Sequence, residues 1–322
     1  MCINEDFGKI WRKRCKPAVR GEILNRLLKK RGVNDRMNPL KMDFHMHTTV
    51  SDGTDTPEMI LERVRQLGIQ MFSVTDHDAL KGCKVIQSVL AENDPVFVSG
   101  VEFSCRDEDG QYHILGYGYD VDSPAIRQVV EMGHQYRMNK VRARLEFIRN
   151  EYGFSFAEED IEKLLALDNP GKPHIGNLMV KYGFAETKQQ AIEQYINKIR
   201  FKGEYIRPEE AIDGIIRSGG IPVLAHPCFG SGDQLILGED LNRRVQRLTN
   251  CGLQGVEGYY SGFTKKMREE VLSFAAHYGL YVTAGSDYHG ANKTVALGDT
   301  GLAPDAVKPE GLRRFIEVFT GH

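Results

Sequence analysis

The sequence predicts an α/β fold, a parallel sheet covered by helices, with a helical segment inserted in the middle of the chain. Three observations carry that expectation. Short apolar runs of strand length alternate with stretches whose apolar residues recur at helical spacing. The runs are almost unbroken in Val, Ile, Leu and Phe, as strands buried on both faces are. Residues 121–210 keep the helical pattern but lose the buried-strand pattern. The length, 322 residues, suits one large α/β domain or two smaller ones, and 41% hydrophobic content is enough for a core.

Residues 1–40 read as a basic extension. They hold 11 Lys/Arg and 4 Asp/Glu, a net of +7 in a chain whose total is −2, so the remainder carries −9. Ile23, Leu24, Leu27 and Leu28 form a short helical stripe before Lys29-Lys30-Arg31. Such a stretch ordinarily packs on a domain edge; a basic arm that touches RNA or an acidic partner is the sharper reading. Residues 41–120 open the α/β part. Met42 to His47 reads as a strand, and Thr56-Pro57 as the start of a helix carrying Ile60, Val64 and Leu67, stopped at Gly68. Met71 to Val74 is a strand, about 80–92 a helix, Pro95 to Val101 a strand ending at Glu102, and Tyr112 to Tyr117 another strand. Residues 121–210 read as the helical insertion, opening at Ser123-Pro124. There Arg137, Lys140 and Arg144 lie beside the apolar stripe Val141, Leu145 and Ile148. Strand and helix alternate again through 211–322, with strands at Ile221 to Ala225, Gln254 to Gly258 and Leu280 to Gly285 and a closing helix from Pro309 to Thr320.

The chemistry sits where the strands end. His45 and His47 are two apart on one strand, so both side chains leave the same face, where two imidazoles can grip one cation. An isolated pair of this kind is ordinarily a surface feature. Here Asp52, Asp76, His77, Glu102, His226, Asp287 and His289 also follow strand-like runs, and His113 lies within one. In parallel α/β folds the C-terminal strand ends share one face, and functional side chains gather there. Mixed imidazole and carboxylate donors suit Mn, Fe or Zn better than calcium, and no cysteine run supplies a structural zinc site. The six cysteines, at 2, 15, 83, 105, 228 and 251, form no C-x-x-C pair, which suits a reduced, cytoplasmic protein. No apolar run is long enough to span a membrane, and the N-terminus lacks the apolar centre of a signal peptide.

Four motifs stand in order: Asp43-Phe44-His45-Met46-His47 with Ser51-Asp52-Gly53; Thr75-Asp76-His77-Asp78; Ala225-His226-Pro227; and Gly285-Ser286-Asp287-Tyr288-His289-Gly290. Together they resemble the polymerase and histidinol phosphatase (PHP) family of metal-dependent phosphoesterases. The likeness is to its branch acting on small nucleotide-like phosphates and spans 42–322. Lys172-Pro173-His174-Ile175 resembles that branch too.

The resemblance implies a distorted (β/α)7 barrel with an inserted helical cap and two or three divalent metals, Mn²⁺ first, with Fe²⁺ or Zn²⁺ as alternatives. By that likeness His45, His47, Glu102 and Asp287 hold the first metal. Glu102 bridges to a second, completed by His113 and His226, and Asp52, His77 and His289 hold a third. Asp52 departs from the trinuclear histidinol phosphatases, which have a histidine there. The expected chemistry is attack on phosphorus by a metal-bridging hydroxide, with His174 or Asp78 as proton donor. Arg137, Lys172, Arg144 and His174 are expected to bind substrate phosphate. The implied substrate is a small nucleotide or sugar phosphate, such as a nucleoside 3′,5′-bisphosphate or a cyclic phosphodiester. A 5′–3′ exonuclease on short RNA, which the basic arm supports, and a non-catalytic binding module are the alternatives. No membrane partner is expected.

Overall fold

A computed structural model of the chain describes residues 40–201, 205–231 and 234–321, so the expected helical stripe at 23–28 lies outside the described residues. The chain is α/β. Strands β1 (Met42–Asp43), β2 (Met71–Phe72) and β3 (Val96–Phe97) form a parallel three-stranded sheet, with helices α1 (Pro57–Gln66) and α2 (Lys81–Val89) between them. Strands β4 (Gly100–Asp107), β5 (Gly110–Tyr117), β6 (Ile221–Leu224), β7 (Gly255–Tyr260) and β8 (Tyr281–Gly285) form a second sheet in sequence order. Backbone bonds join β1 to the end of β8: Phe44 N–H donates to Ala284 (2.9 Å) and Asp287 N–H to His45 (2.8 Å). On the other side His77 bridges to Glu102.

The expectation of an all-parallel sheet needs correction. β6, β7 and β8 run parallel, but β4–β5 and β5–β6 are antiparallel. Asp107 and Gly110 face each other across a two-residue turn, and Asp107 Oδ1 accepts from the N–H groups of Asp109 (2.9 Å) and Gly110 (3.2 Å). A two-residue turn returns the chain antiparallel; a parallel return needs a crossover of a dozen residues. Glu102 accordingly lies inside β4 instead of ending the strand before it. The chain leaves β3 after Phe97 and re-enters a sheet at Gly100. A Cβ on Gly100 would stand 2.0 Å from Ser73 Oγ, so only glycine lets the two backbones pass here.

Between β5 and β6 the chain is helical. α3 (Pro124–Tyr152) starts where Ser123 accepts from Ala125 N–H and stops at Gly153, which holds φ 70°. It is followed by α4 (Glu158–Leu165), α5 (Lys172–Lys181) and α6 (Lys188–Gln194), then α7 (Pro208–Arg217). Val141, Ile148, Leu164, Ile175, Leu178 and Met179 close a separate apolar cluster among α3–α6. The start of α3 instead joins the main core through Ile126 and Val129. α8 (Gly238–Asn250), α9 (Lys265–His277) and α10 (Glu310–Thr320) complete the order. The sequence reading passed over α8, although its buried Leu241, Val245 and Leu248 recur at helical spacing. In the main core Phe315 of α10 meets Phe44 (5.2 Å between centroids) and Tyr117 (5.4 Å) edge-on, the geometry aromatic quadrupoles favour. Tyr117 also donates its hydroxyl to the Phe44 carbonyl at 2.8 Å, which ties β5 to the strand that leads into the first motif.

Candidate metal centre

His45-Met46-His47 continues β1 as an extended segment. Met46 bridges to Tyr288 and points into the core under α1, while both imidazoles turn to the opposite side, fully buried. The following loop is tied by Asp76, whose oxygens accept from Thr48 N–H (2.8 Å), Thr48 Oγ1 (2.8 Å) and Ser51 Oγ (2.7 Å). Asp76 therefore shapes the loop that presents Asp52. Three residues of the site have left-handed backbones although none is glycine: Asp78 (φ 49°), His226 (φ 27°) and Asp287 (φ 58°). Each such conformation costs of order 1–3 kcal/mol and persists only where the surroundings impose it.

Glu102 is the hub. Its Oε2 lies 3.2 Å from His45 Nε2, 3.1 Å from His47 Nε2 and 3.3 Å from His77 Nδ1. Its Oε1 lies 2.8 Å from His113 Nδ1 and 3.3 Å from His226 Nε2. Asp287 Oδ1 is 3.5 Å from His45 Nε2 and 3.4 Å from His47 Nε2. Asp52 Oδ1 is 3.2 Å from His289 Nε2 and 3.7 Å from His47 Nδ1. The fold thus gathers all nine residues singled out as ligand candidates, from six separate chain segments, into one cluster. Three donor groups within it have atoms close enough to share an ion: His47, Asp52, His77 and His289; His45, His47 and Asp287; and His77, Glu102 and His113.

The electrostatics suit a cation. Burial by itself opposes charge on all these groups. The surrounding imidazoles nevertheless hold Asp52 and Glu102 well below the usual carboxylate range, and His45 with Lys293 does the same to Asp287. Against the same burial, the carboxylates raise His45 well above its ordinary value and His47 to about 9. Burial wins at His77 and His289, which are held low and neutral. His45 Nε2, His47 Nε2 and Asp52 Oδ1 are buried atoms without a hydrogen-bond partner. Ionised carboxylates that draw protons onto buried imidazoles, beside orphaned donor atoms, fit divalent ions in the protons' place.

Beside the cluster is a cavity of about 260 Å³ lined by His77, Glu102, His113, His226, Phe229, Tyr260, Asp287 and Lys293. The helical segment approaches it too. Arg137 of α3 reaches Asp78 Oδ2 at 2.5 Å and Ser104 Oγ at 3.1 Å, and Asn169 donates to the His77 carbonyl. Both oxygens of Asp78 are engaged, the other by Ser104 N–H at 3.1 Å. His174 sits in the first turn of α5, and its Nδ1 accepts from Gly171 N–H at 3.0 Å, which places its proton on Nε2. Arg144 is only 8% exposed and Lys172 donates to Asn197 at 2.7 Å. Among the described residues neither has a carboxylate in ion-pair reach. Burial pulls Arg144 down to about 10, and burial with the neighbouring Arg144 pulls Lys172 down to about 8.

Sequence reasoning missed three residues here. Glu257 contacts His45 Nδ1 at 3.0 Å, and Tyr260 (3.0 Å) and Lys293 (2.5 Å) both reach Asp287 Oδ2. Glu257 carried a usable signal, an acidic residue inside an apolar strand-like run; Tyr260 and Lys293 carried none.

Residues 43–206 match the PHP domain. The chain belongs to the PHP domain family. It is 29% identical over 258 residues to the phosphoribosyl 1,2-cyclic phosphate 1,2-diphosphodiesterase of Eggerthella lenta, covering 77% of this chain and 94% of that enzyme. It is 30% identical over 269 residues to the 5′-3′ exoribonuclease Rnm of Salmonella typhimurium, covering 80% and 87%. A crystal structure of a metal-dependent phosphoesterase from Bifidobacterium adolescentis superposes with a TM-score of 0.70 at 26% identity, over 88% of this chain and 98% of that one. This PHP protein is accordingly a metal-dependent phosphoesterase. Among the described residues, no helix of it is long and apolar enough to cross a membrane.

Proposed function

We propose that this PHP protein hydrolyses a phosphate ester on a small nucleotide- or ribose-type substrate that bears a second phosphate group. A nucleoside 3′,5′-bisphosphate and a phosphorylated cyclic phosphodiester both answer that description. The observation that carries the reading is a run of basic residues leading away from the metal cluster. Arg137 is bonded to Asp78 beside His77, Arg144 lies near enough to Arg137 to be repelled by it and Lys172 near enough to Arg144, and His174 feels both Asp52 and Arg137. One buried cation, Arg144, and one half-buried cation, Lys172, without carboxylate partners among the described residues match a ligand that brings its own negative charge. In this reading α3–α6, within 121–210, act as a cap over a barrel-type body formed from 41–120 and 211–322; the bonds that link β1 to β8 and His77 to Glu102 support it.

The nine clustered residues would hold two or three divalent ions, Mn²⁺ first, with Fe²⁺ or Zn²⁺ as the other candidates for mixed nitrogen and oxygen donors. Bound there, the ions supply Lewis-acid activation of water and of the phosphoryl oxygens. The protein's own groups do the rest. Glu102 and Asp287 keep the imidazoles facing one point. Asp78 anchors Arg137, so that its guanidinium is presented at a set angle. His174, neutral with its proton on Nε2, donates a hydrogen bond to phosphate or to the leaving oxygen.

A second reading, 5′–3′ exoribonuclease action on short RNA, is favoured by the 30% identity to Rnm. Phosphate release by Mn²⁺-reconstituted protein separates the two. The panel holds nucleoside 3′,5′-bisphosphates, monophosphates, sugar phosphates, phosphorylated cyclic phosphates and short 5′-phosphorylated RNA. Preference for a small substrate with two phosphates is the expected result, and Arg144→Met should raise its KM about tenfold or more while sparing monophosphates, the loss of one charged hydrogen-bonded contact. Activity confined to RNA would replace the first reading by the second.

A further inference from the structure

Glu257 is a fully buried carboxylate inside β7, and both of its oxygens are committed. Oε1 lies 3.0 Å from His45 Nδ1, and Oε2 accepts from the backbone N–H of His226 at 2.8 Å. These two histidines come from different motifs, 181 positions apart in the chain. A carboxylate only accepts, so His45 carries a proton on Nδ1, and Nε2 is the nitrogen whose lone pair a metal ion would take in a proton's place. Nε2 is the atom that faces Glu102 Oε2 (3.2 Å) and Asp287 Oδ1 (3.5 Å), buried and without a hydrogen-bond partner. The second contact acts on the backbone. His226 holds φ 27°, and its N–H is anchored on Glu257. The packing around this arrangement leaves no slack. A Cβ on Gly285 would stand 2.3 Å from His45 Cβ and 2.4 Å from Glu257 Oε1. Gly285 is not in the left-handed region, so the demand for glycine there is for space beside this pair.

We propose that Glu257 is a positioning residue for two metal ligands at once. It sets the Nδ1–H tautomer of His45, and through the His226 amide it fixes the turn that aims the second imidazole. The inference rests on the reading of the nine residues as a metal centre.

Glu257→Gln tests it, since it keeps the size and replaces one acceptor by an NH₂. If the NH₂ faces His45, the imidazole proton is driven to Nε2 and the metal-facing lone pair is lost. If it faces the His226 amide, two donors collide. Calorimetric titration of both proteins with Mn²⁺ and with Zn²⁺ should show affinity weakened about 10–100-fold in the variant. Nitrogen-15 NMR of the Zn²⁺-loaded wild type should show His45 protonated at Nδ1 and metal-bound at Nε2. This second measurement needs no variant, so it decides even if Glu257→Gln does not fold. Equal affinities in wild type and variant, or His45 bound through Nδ1, would overturn the role of Glu257 alone. Wild-type protein that binds neither ion would overturn the metal centre, and the inference with it.

Discussion

Lys172 shows how a single residue turns burial into a functional property. Its ammonium is drawn down to about 8, first by burial and then by Arg144. A lysine held low is charged below that value and neutral above it. Any phosphate it binds is therefore bound well at neutral pH and less well as pH rises. On the proposed reading, kcat/KM for a two-phosphate substrate should fall on the alkaline side of about pH 8. Lys172→Arg should move that limb upward by more than one pH unit, because guanidinium stays charged. A pH–rate profile that is the same for both proteins would remove Lys172 from the binding step. Asp78 gives a second lesson. Sequence places it beside His77 as a candidate acid, but its oxygens serve Arg137 and Ser104, which suits an anchor better than a proton donor.

The β4–β5 hairpin carries Glu102 and His113, so its register decides whether the hub of the cluster forms. A slip of one residue would turn both side chains to the other face. Asp107 guards that register from the far end. Besides the two turn N–H groups, it accepts from Arg247 of α8, which also bonds Tyr112 Oη at 2.8 Å, while Arg244 stacks on the same ring at 4.0 Å. Asp107→Ala removes the turn acceptor and one of the three carboxylates around the Arg247 guanidinium, leaving Glu209 and Asp109, each at 3.3 Å. The expected cost is about 1–2 kcal/mol, mostly from the lost turn hydrogen bonds, read as a lower midpoint in denaturant with unchanged m-value. A loss below about 0.5 kcal/mol would mean that the strands hold the hairpin without the turn.

For the molecule as a whole, the metal cluster is a stability term whose sign depends on pH. His47 is raised from 6.5 to about 9 by hydrogen bonds and attraction to Asp287 and Glu102, against its burial. A group whose folded value is raised contributes fully below its unfolded value and loses that contribution as pH climbs through the folded one. Metal-free protein should therefore lose stability between about pH 6.5 and 9, by up to about 3 kcal/mol from this group. Asp52, Glu102 and Asp287 are held low, so their contribution is present at neutral pH and disappears in acid. Adding Mn²⁺ should raise Tm and flatten the alkaline slope, because the ion takes over the protons' place and stabilises only the folded state. A Tm that tracks pH identically with and without Mn²⁺ would show that no ion binds this cluster.

Much of this was written in the residue order. Strand-length apolar runs ending in His, Asp or Glu marked both the α/β class and most of the cluster, because period-two geometry and a shared strand-end face bring such positions together; Glu102 and His113 join them through the register of the antiparallel β4–β5 hairpin. Thr56-Pro57 and Ser123-Pro124 marked helix starts for equally local reasons, an oxygen that caps and a ring that presets φ. Tertiary structure decided the rest. The antiparallel course of β4 and β5 turned on one two-residue turn. The assignment of Glu257 to His45 turned on β7 lying beside β8, with Gly285 leaving space between them. Arg144 reads as one edge of a basic helix face in sequence, yet it is buried, with its guanidinium over the Phe201 ring. Sequence thus determined which chemistry is assembled, since donors are local in kind. Only the folded chain decided which donor faces which, since that depends on contacts between residues far apart along it.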